Sequence, residues 1–485
     1  MTKTLSRRGL LHGALAGALV LGFDPVNRAW ITEAQAGRCP PRHRIPRLDG
    51  RLRLDAATRE AAAGDFGYIV RRTPTAVLEP GSVEDVARMV RYARQRDLKI
   101  AVRGQAHTTY GQALVDGGIV VDSRPLKRIR FLSGGRAIVE AGALWADVVE
   151  AAYARGLTPP VLTDYLGLSV GGTLALGGIG GTASRFGAQV DNVLELEVVT
   201  GKGDVETCSP TKNRRLFDAA LAGLGQCALI VRATIRLVPA KPKVTVFNLF
   251  YSDIGTYVDD QRLLLASGRF DYLEGQVVPN PSGTGFEYMI EAATFFKPPH
   301  TPNPTALLAG LSDDAPRRQT IHQSYLDFAF RVEPLIAFLK SVGAWTLPHP
   351  WFAVFVPASS VEQYIGDLVA DLTPADTGGG PVLFYPFRRD LLRQPLLRVP
   401  DEDFFTFNLL RFAPPDPAVV DAMLDHNRDL FDEAVLAGGT QYPLGSIPLG
   451  PADWAAHYGP VYAELRSAKR RFDPDGVLTP GQGIF

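Results

Sequence analysis

Three stretches of this 485-residue chain carry side chains that could do chemistry. The first is Arg103-Gly104-Gln105-Ala106-His107-Thr108-Thr109-Tyr110-Gly111-Gln112. Glycines near its ends allow the backbone to approach a ligand closely. Arg103, Thr108 and Thr109 offer donors. His107 is the only imidazole between His43 and His300, and an imidazole is easily tuned near neutral pH, for a structural or a functional role. The second is Leu162-Thr163-Asp164-Tyr165-Leu166, a lone carboxylate in an apolar run. Such a group needs a partner or gives up its charge, which makes Asp164 a candidate base; capping a following helix is the bland alternative. The third is Phe270-Asp271-Tyr272-Leu273-Glu274-Gly275. On a strand Tyr272 and Glu274 share a face, so Glu274 either points into a cavity or is simply exposed.

The elements that must position these groups fall into two regions. In the first, Ser82-Val83-Glu84-Asp85 starts a helix whose apolar residues recur at helical spacing. Strands are expected at 98–102, 118–122 and 137–141, a helix at 144–154 with Gly156 as its cap, and strands at 193–200 and 228–238 around a Gly201–Asp204 turn. Between Gly167 and Gly187 lies the densest glycine region, which reads either as an anion nest or as a turn-rich connection. No G-x-G-x-x-G motif follows a strand and opens a helix, which argues against a Rossmann site. After Pro239 and Pro242, expected strands at 244–251, 272–278, 352–356 and 404–412 alternate with helices, including 361–372 and 419–436. This pattern predicts an α+β chain with an antiparallel sheet covered by helices on one face. The boundaries are a leader at 1–36, a first domain at 37–240, a second at 241–440 and a terminal segment at 441–485.

Formal net charge is zero. No basic run exists to neutralise phosphates, so nucleic acid is not an expected partner. Ser6-Arg7-Arg8-Gly9-Leu10-Leu11, an apolar run to Phe23 and Ala34-Gln35-Ala36 match a twin-arginine export signal. We therefore expect a secreted, periplasmic or cell-envelope protein with no stable membrane insertion after cleavage. Cys39, Cys208 and Cys227 form neither a disulfide framework nor a metal-site spacing, and no metal is expected.

The ordered set resembles the cytokinin dehydrogenases, covalent flavoproteins of the vanillyl-alcohol-oxidase class with a PCMH-type FAD-binding domain. The likeness runs through Arg103–Gln112 with Gly117–Asp122, Thr163–Leu166 with Val170–Leu174, and Asn192–Leu196. It continues through Leu216-Phe217, Gly225-Gln226, Ile230, Pro348–Trp351, Phe355–Pro357 and Pro480–Gln482. The resemblance implies FAD linked to His107. The cradle of the cofactor would be Arg103, Gly104, Gln105, Ala106, Thr108 and Gln112, with further contacts from Asp164, Ser169, Ala175, Ile179, Ile230, Thr479 and Gln482. It implies Asp164 and Glu274 as catalytic, substrate-binding carboxylates and Phe66 and Trp351 as walls of the substrate pocket. The implied substrate is an N6-substituted adenine such as isopentenyladenine, and the implied electron acceptor oxygen or a quinone. Relatives with a second link use a cysteine in the glycine-rich half, and none lies between Cys39 and Cys208. The chain departs from the family at Gln105-Ala106, at Ala353 where a polar Asn is common, and near Tyr442, where a second Tyr is missing. Another oxidase of the same class, or a binding protein without turnover, are the competing readings.

Overall fold

A computed structural model of the protein describes residues 20–33 and 43–485. Arg7, Arg8, the Ala34-Gln35-Ala36 site and Cys39 lie outside them. Val20–Asp24 and Ala29–Thr32 form an antiparallel hairpin inside the stretch read as a leader. Phe23 is buried, and Trp30 stacks on Tyr92 at 6.2 Å.

The first region is built on two larger sheets. Arg51–Arg53, Ala76–Glu79, Ile119–Asp122 and Ile100–Arg103 form a four-stranded sheet in that order, antiparallel at its first pair and parallel thereafter. The helix Val83–Arg94 packs Val86, Met89 and Val90 onto it, and Ser82 Oγ accepts from the Asp85 N–H at 3.3 Å. The five-stranded antiparallel sheet runs Val205–Cys208, Val193–Thr200, Ala228–Arg236, Arg136–Glu140, Ile129–Leu132. Cys208 and Cys227 are buried free thiols. The chain end returns here: Leu478 bridges Ile100, and buried Lys469 donates to Asp473 Oδ2 at 2.7 Å and to the Gln226 carbonyl at 2.8 Å.

The second region is an eight-stranded, wholly antiparallel sheet. Its order is Gln319–Ser324, Lys243–Tyr251, Phe286–Phe296, Tyr272–Pro279, Val382–Phe387, Phe404–Leu409, Phe352–Pro357, Thr440–Gln441. Side-chain alternation splits it cleanly. Phe247, Leu273, Val354 and Phe407 share one core with residues of the helices Ile254–Ser267, Val361–Asp371 and Pro417–Leu436. Val246, Tyr272, Phe355 and Tyr385 share the other with Leu174, Ile179 and Ile230 of the first region. The α+β architecture with helices on one face is as expected, and the face opposite the helices is the one that meets the first region. The strand expected at 404–412 is cut short. It ends at Leu409 because Arg411 turns inward, donating Nε to the Pro350 carbonyl at 3.1 Å and Nη2 to Asn427 Oδ1 at 2.6 Å. Among the described residues, no helix is long and apolar enough to cross a membrane.

Candidate active site

The loop after Ile100–Arg103 is fixed by its underside. Buried Asp65 accepts from Thr108 Oγ1 at 2.8 Å and from the N–H groups of Gly111 and Gly67 at 2.7 and 3.2 Å. Burial nonetheless lifts its carboxyl to about 6. The Ala106 and Thr108 carbonyls accept from Phe66 and Gly67 N–H. Arg103 donates to the Ala61 and Gly64 carbonyls, Thr109 Oγ1 to the Leu444 carbonyl, and Gln112 Nε2 to the Gly445 carbonyl. The side-chain donors singled out in this loop are thus engaged within the protein. What the loop leaves free is backbone. Ala106 adopts φ +53°, and among the described residues none accepts a hydrogen bond from the N–H groups of Gln105, Ala106, His107, Thr108 or Thr109. Consecutive free N–H groups around a left-handed residue form an anion nest.

The glycine-rich stretch packs closely. Ser169 precedes the helix Val170–Leu176 and lies against Gly104, where an added Cβ would fall 1.9 Å from Ser169 Oγ. Gly181 lets the backbone press on the Tyr272 ring, which a Cβ would meet at 2.6 Å. Gly181 thus serves close packing, and the N–H groups of Gly180, Gly181 and Thr182 also have no acceptor among the described residues. Ile179 and Ile230 are buried in one core, and the Ala175 carbonyl accepts from Leu224 N–H at 2.9 Å. Thr479, at φ +48°, donates N–H to the Ile100 carbonyl at 2.7 Å and accepts from Gln226. Gln482 ends the short turn Pro480–Gln482, whose Gly481 lies against the carbonyls of Gly111, Gln112 and Leu114.

His107 sits among rings. Phe66 stacks on it at 3.9 Å, with Tyr165 at 5.4, Trp351 at 5.8 and Trp345 at 5.9 Å. His349 stacks on the other side of Phe66 at 4.0 Å, its Nδ1 2.8 Å from the Phe66 carbonyl. Burial drives the His107 imidazole down to about 3, with His349 adding to the effect, and burial takes His349 to about 4. Both rings are neutral at ordinary pH.

One residue before Tyr165, the character changes. Asp164 caps no helix. Its Oδ1 accepts from Arg331 Nη2 at 2.5 Å and from the Tyr272 hydroxyl at 3.2 Å. Arg331 Nη2 also donates to the Tyr272 hydroxyl and lies 3.5 Å from Glu274 Oε2, while its Nε donates to Glu291 Oε1 at 3.0 Å. Glu274 is 2% exposed, which overturns the reading of an exposed strand carboxylate: Tyr272 and Glu274 share the face turned to the first region. Burial, then the Asp164 charge, pushes the Glu274 carboxyl well above its ordinary range. A cavity of about 360 Å³ opens beside Asp164, between Pro160, Phe186, Phe295, Phe328 and Arg331.

The structure thus groups Phe66, His107 and Trp351 in one cage, and Asp164 with Glu274 in a cluster next to it. Sequence reasoning missed Asp65, Glu291, Arg331, Trp345 and the role of His349. Only His349 stood in a quoted motif. Arg331 follows Asp164 by 167 residues and carries no local signature.

The fold and this pairing of nest, ring cage and carboxylates define an FAD-dependent oxidoreductase with the two-domain architecture of vanillyl-alcohol-oxidase-type flavoproteins. Residues 74–209 match the family model of an FAD binding domain, and residues 282–485 that of "Cytokinin dehydrogenase 1, FAD and cytokinin binding". The fold is similar to 6-hydroxy-D-nicotine oxidase from Arthrobacter nicotinovorans, with TM-score 0.68 and 21% identity over 89% of this chain and 96% of that one. It is also similar to a VAO-type flavoprotein from Myceliophthora thermophila, with TM-score 0.69 and 20% identity over 85% and 80% of the two chains. In sequence the chain is 37% identical to cytokinin dehydrogenase 6 of Oryza sativa over 90% of its own length and 91% of the relative. It is 38% identical to an uncharacterized oxidoreductase of the fasciation locus of Rhodococcoides fascians, over 90% and 99% of the two chains. The chain belongs to the cytokinin dehydrogenase family.

Proposed function

We propose that the enzyme oxidises the N6 side chain of cytokinins such as isopentenyladenine, giving adenine and an unsaturated aldehyde, with FAD attached to His107. The observation that carries this reading is a pair of carboxyl groups bridged by Arg331: an ion-paired Asp164 beside a buried Glu274 whose carboxyl is pushed upward. One group accepts a proton and the other donates a hydrogen bond, and a secondary amine next to a purine nitrogen asks for that combination.

The nest at 105–109 fits a pyrophosphate, and the loop holding it is braced by Asp65 and Ser169. Gly104, Ala175, Ile179, Ile230, Thr479 and Gln482 would complete the cofactor site. Neutral His107 has a free nitrogen lone pair, the form a covalent bond to carbon requires. When bound, FAD supplies the two-electron acceptor. Asp164 accepts the hydrogen bond of the substrate's exocyclic N–H and takes its proton as a hydride leaves the adjacent carbon; water then hydrolyses the resulting imine. Base assistance of this kind is worth ~10²–10⁴ in rate. Phe66 and Trp351 exclude water from the reacting carbon. The twin arginine at Arg7-Arg8 supports export of the loaded enzyme.

Anaerobic mixing with isopentenyladenine should bleach the flavin absorbance, and re-oxidation by oxygen or a quinone then identifies the acceptor. No bleaching by any N6-substituted adenine, with bleaching by another amine or alcohol, would move the substrate elsewhere in the class. Acid precipitation should leave yellow flavin on the wild-type protein and none on His107→Ala; free flavin from both would exclude the covalent link.

A further inference from the structure

Three carboxyl groups, Asp164, Glu274 and Glu291, converge on one guanidinium. In a buried site each unpaired charge is expensive, so one cation does not sustain three anions. The geometry ranks them. Asp164 has the shortest contact, 2.5 Å to Nη2, and the Tyr272 hydroxyl besides. Glu291 takes the Nε donor at 3.0 Å. Glu274 stands 3.5 Å from Nη2, and its Oε1 has no hydrogen-bond partner among the described residues. Arg331 is itself held in place. It lies in the turn after the helix Tyr325–Ala329, its N–H bonded to the Phe328 carbonyl, with its guanidinium 4.9 Å from the Tyr272 ring centre and 4.6 Å from that of Phe328.

We propose that Arg331 is a positioning residue that selects Asp164 as the ionised carboxylate of this cluster and leaves the Glu274 carboxyl protonated. The assignment rests on the reaction proposed above for its role in turnover, but not for the protonation pattern itself. Burial pushes both Glu274 and Glu291 upward, and the Asp164 charge pushes Glu274 further, in agreement with that order. Several other charged or titratable groups surround the cluster. Tyr272 lies on the strand shared with Glu274, Tyr385 on the neighbouring strand, and Tyr165 beside Asp164. Arg185, Lys241 and Asp271 line the cavity, and both cations pair with Asp271. A guanidinium that only ties the 325–329 helix to the sheet would leave the pH behaviour of the site unchanged, which separates the two roles.

The test uses the FAD-loaded enzyme. In Arg331→Met the acid limb of the kcat/KM profile for isopentenyladenine should move to higher pH by about 1–3 pH units, the range over which a neighbouring cation acts on a carboxylate. Arg331→Lys should restore most of the shift. Infrared absorption of protonated carboxyls gives the substrate-independent arm. In wild type at neutral pH, a protonated carboxyl band should be present that vanishes in Glu274→Gln. In Arg331→Met a further band should appear that Asp164→Asn removes. A profile and bands identical in Arg331→Met and wild type would overturn the proposal. So would a wild-type set of protonated-carboxyl bands that Glu274→Gln leaves unchanged, which decides the matter even where Arg331→Met does not fold. If isopentenyladenine fails to bleach the wild type while the bands behave as expected, the substrate reading falls and the role of Arg331 stands.

Discussion

Around His107 the walls are rings: Phe66, Tyr165, Trp345 and Trp351 surround it, and His349 extends the stack. Around Asp164, one peptide bond from Tyr165, the walls are charges: Arg331, Glu274 and Glu291. Burial acts alike on both regions, disfavouring whichever form is charged, so it lowers the imidazoles and raises the glutamates. The two regions differ because only one contains a fixed counter-charge. Where no cation or anion is supplied, the group goes neutral and stacks, which suits the nitrogen proposed to bond the flavin. Where Arg331 is supplied, one carboxylate keeps its charge inside the protein, which suits a base.

The largest effect should come from breaking the charged side. Asp164→Asn keeps the shape and the Tyr272 contact but removes the negative charge. Stopped-flow flavin reduction by isopentenyladenine should slow by about 10²–10⁴-fold with the flavin spectrum intact. An unchanged rate would put the base elsewhere.

A smaller effect tests the neutral side. The folded pKa of His349 is depressed to about 4 from an ordinary value near 6.5. Its contribution is therefore present above pH 6.5 and is lost as pH falls through that window toward 4, amounting to up to about 3 kcal/mol. His349→Gln should flatten this part of the curve. The difference in denaturation free energy between the two proteins should change with pH in that window and stay constant above it.

The smallest effect concerns the seam that positions both regions. Gly104→Ala places a Cβ against Ser169 Oγ, and overpacking of this kind costs about 1–3 kcal/mol. Flavin occupancy and melting temperature should both fall, and Gly104→Ala with Ser169→Gly should recover them. Recovery by the second substitution alone, without Gly104→Ala present, has no counterpart in this contact.

Local signals were legible where the physics is local. Ser82 capping the helix at Val83, the strand Val193–Thr200, the left-handed Gly156 after its helix and the antiparallel sheet of the second region all follow from periodicity and turn chemistry over a few residues. The ordered motifs hold His107 and Asp164, and Phe270–Gly275 holds Glu274, for the same reason: each sits in a short stretch with its own composition. Tertiary structure decided what those residues experience. It revealed free N–H groups in the His107 loop, which depend on what the rest of the fold leaves unpaired. It buried Glu274, because which face of the eight-stranded sheet turns inward is settled by helices far along the chain. And it brought Arg331 to Asp164 across 167 residues, a contact that charge alone makes favourable and only the fold makes possible. Sequence by itself determined which groups could carry a proton or bind a flavin; the three-dimensional packing determined which of them are charged.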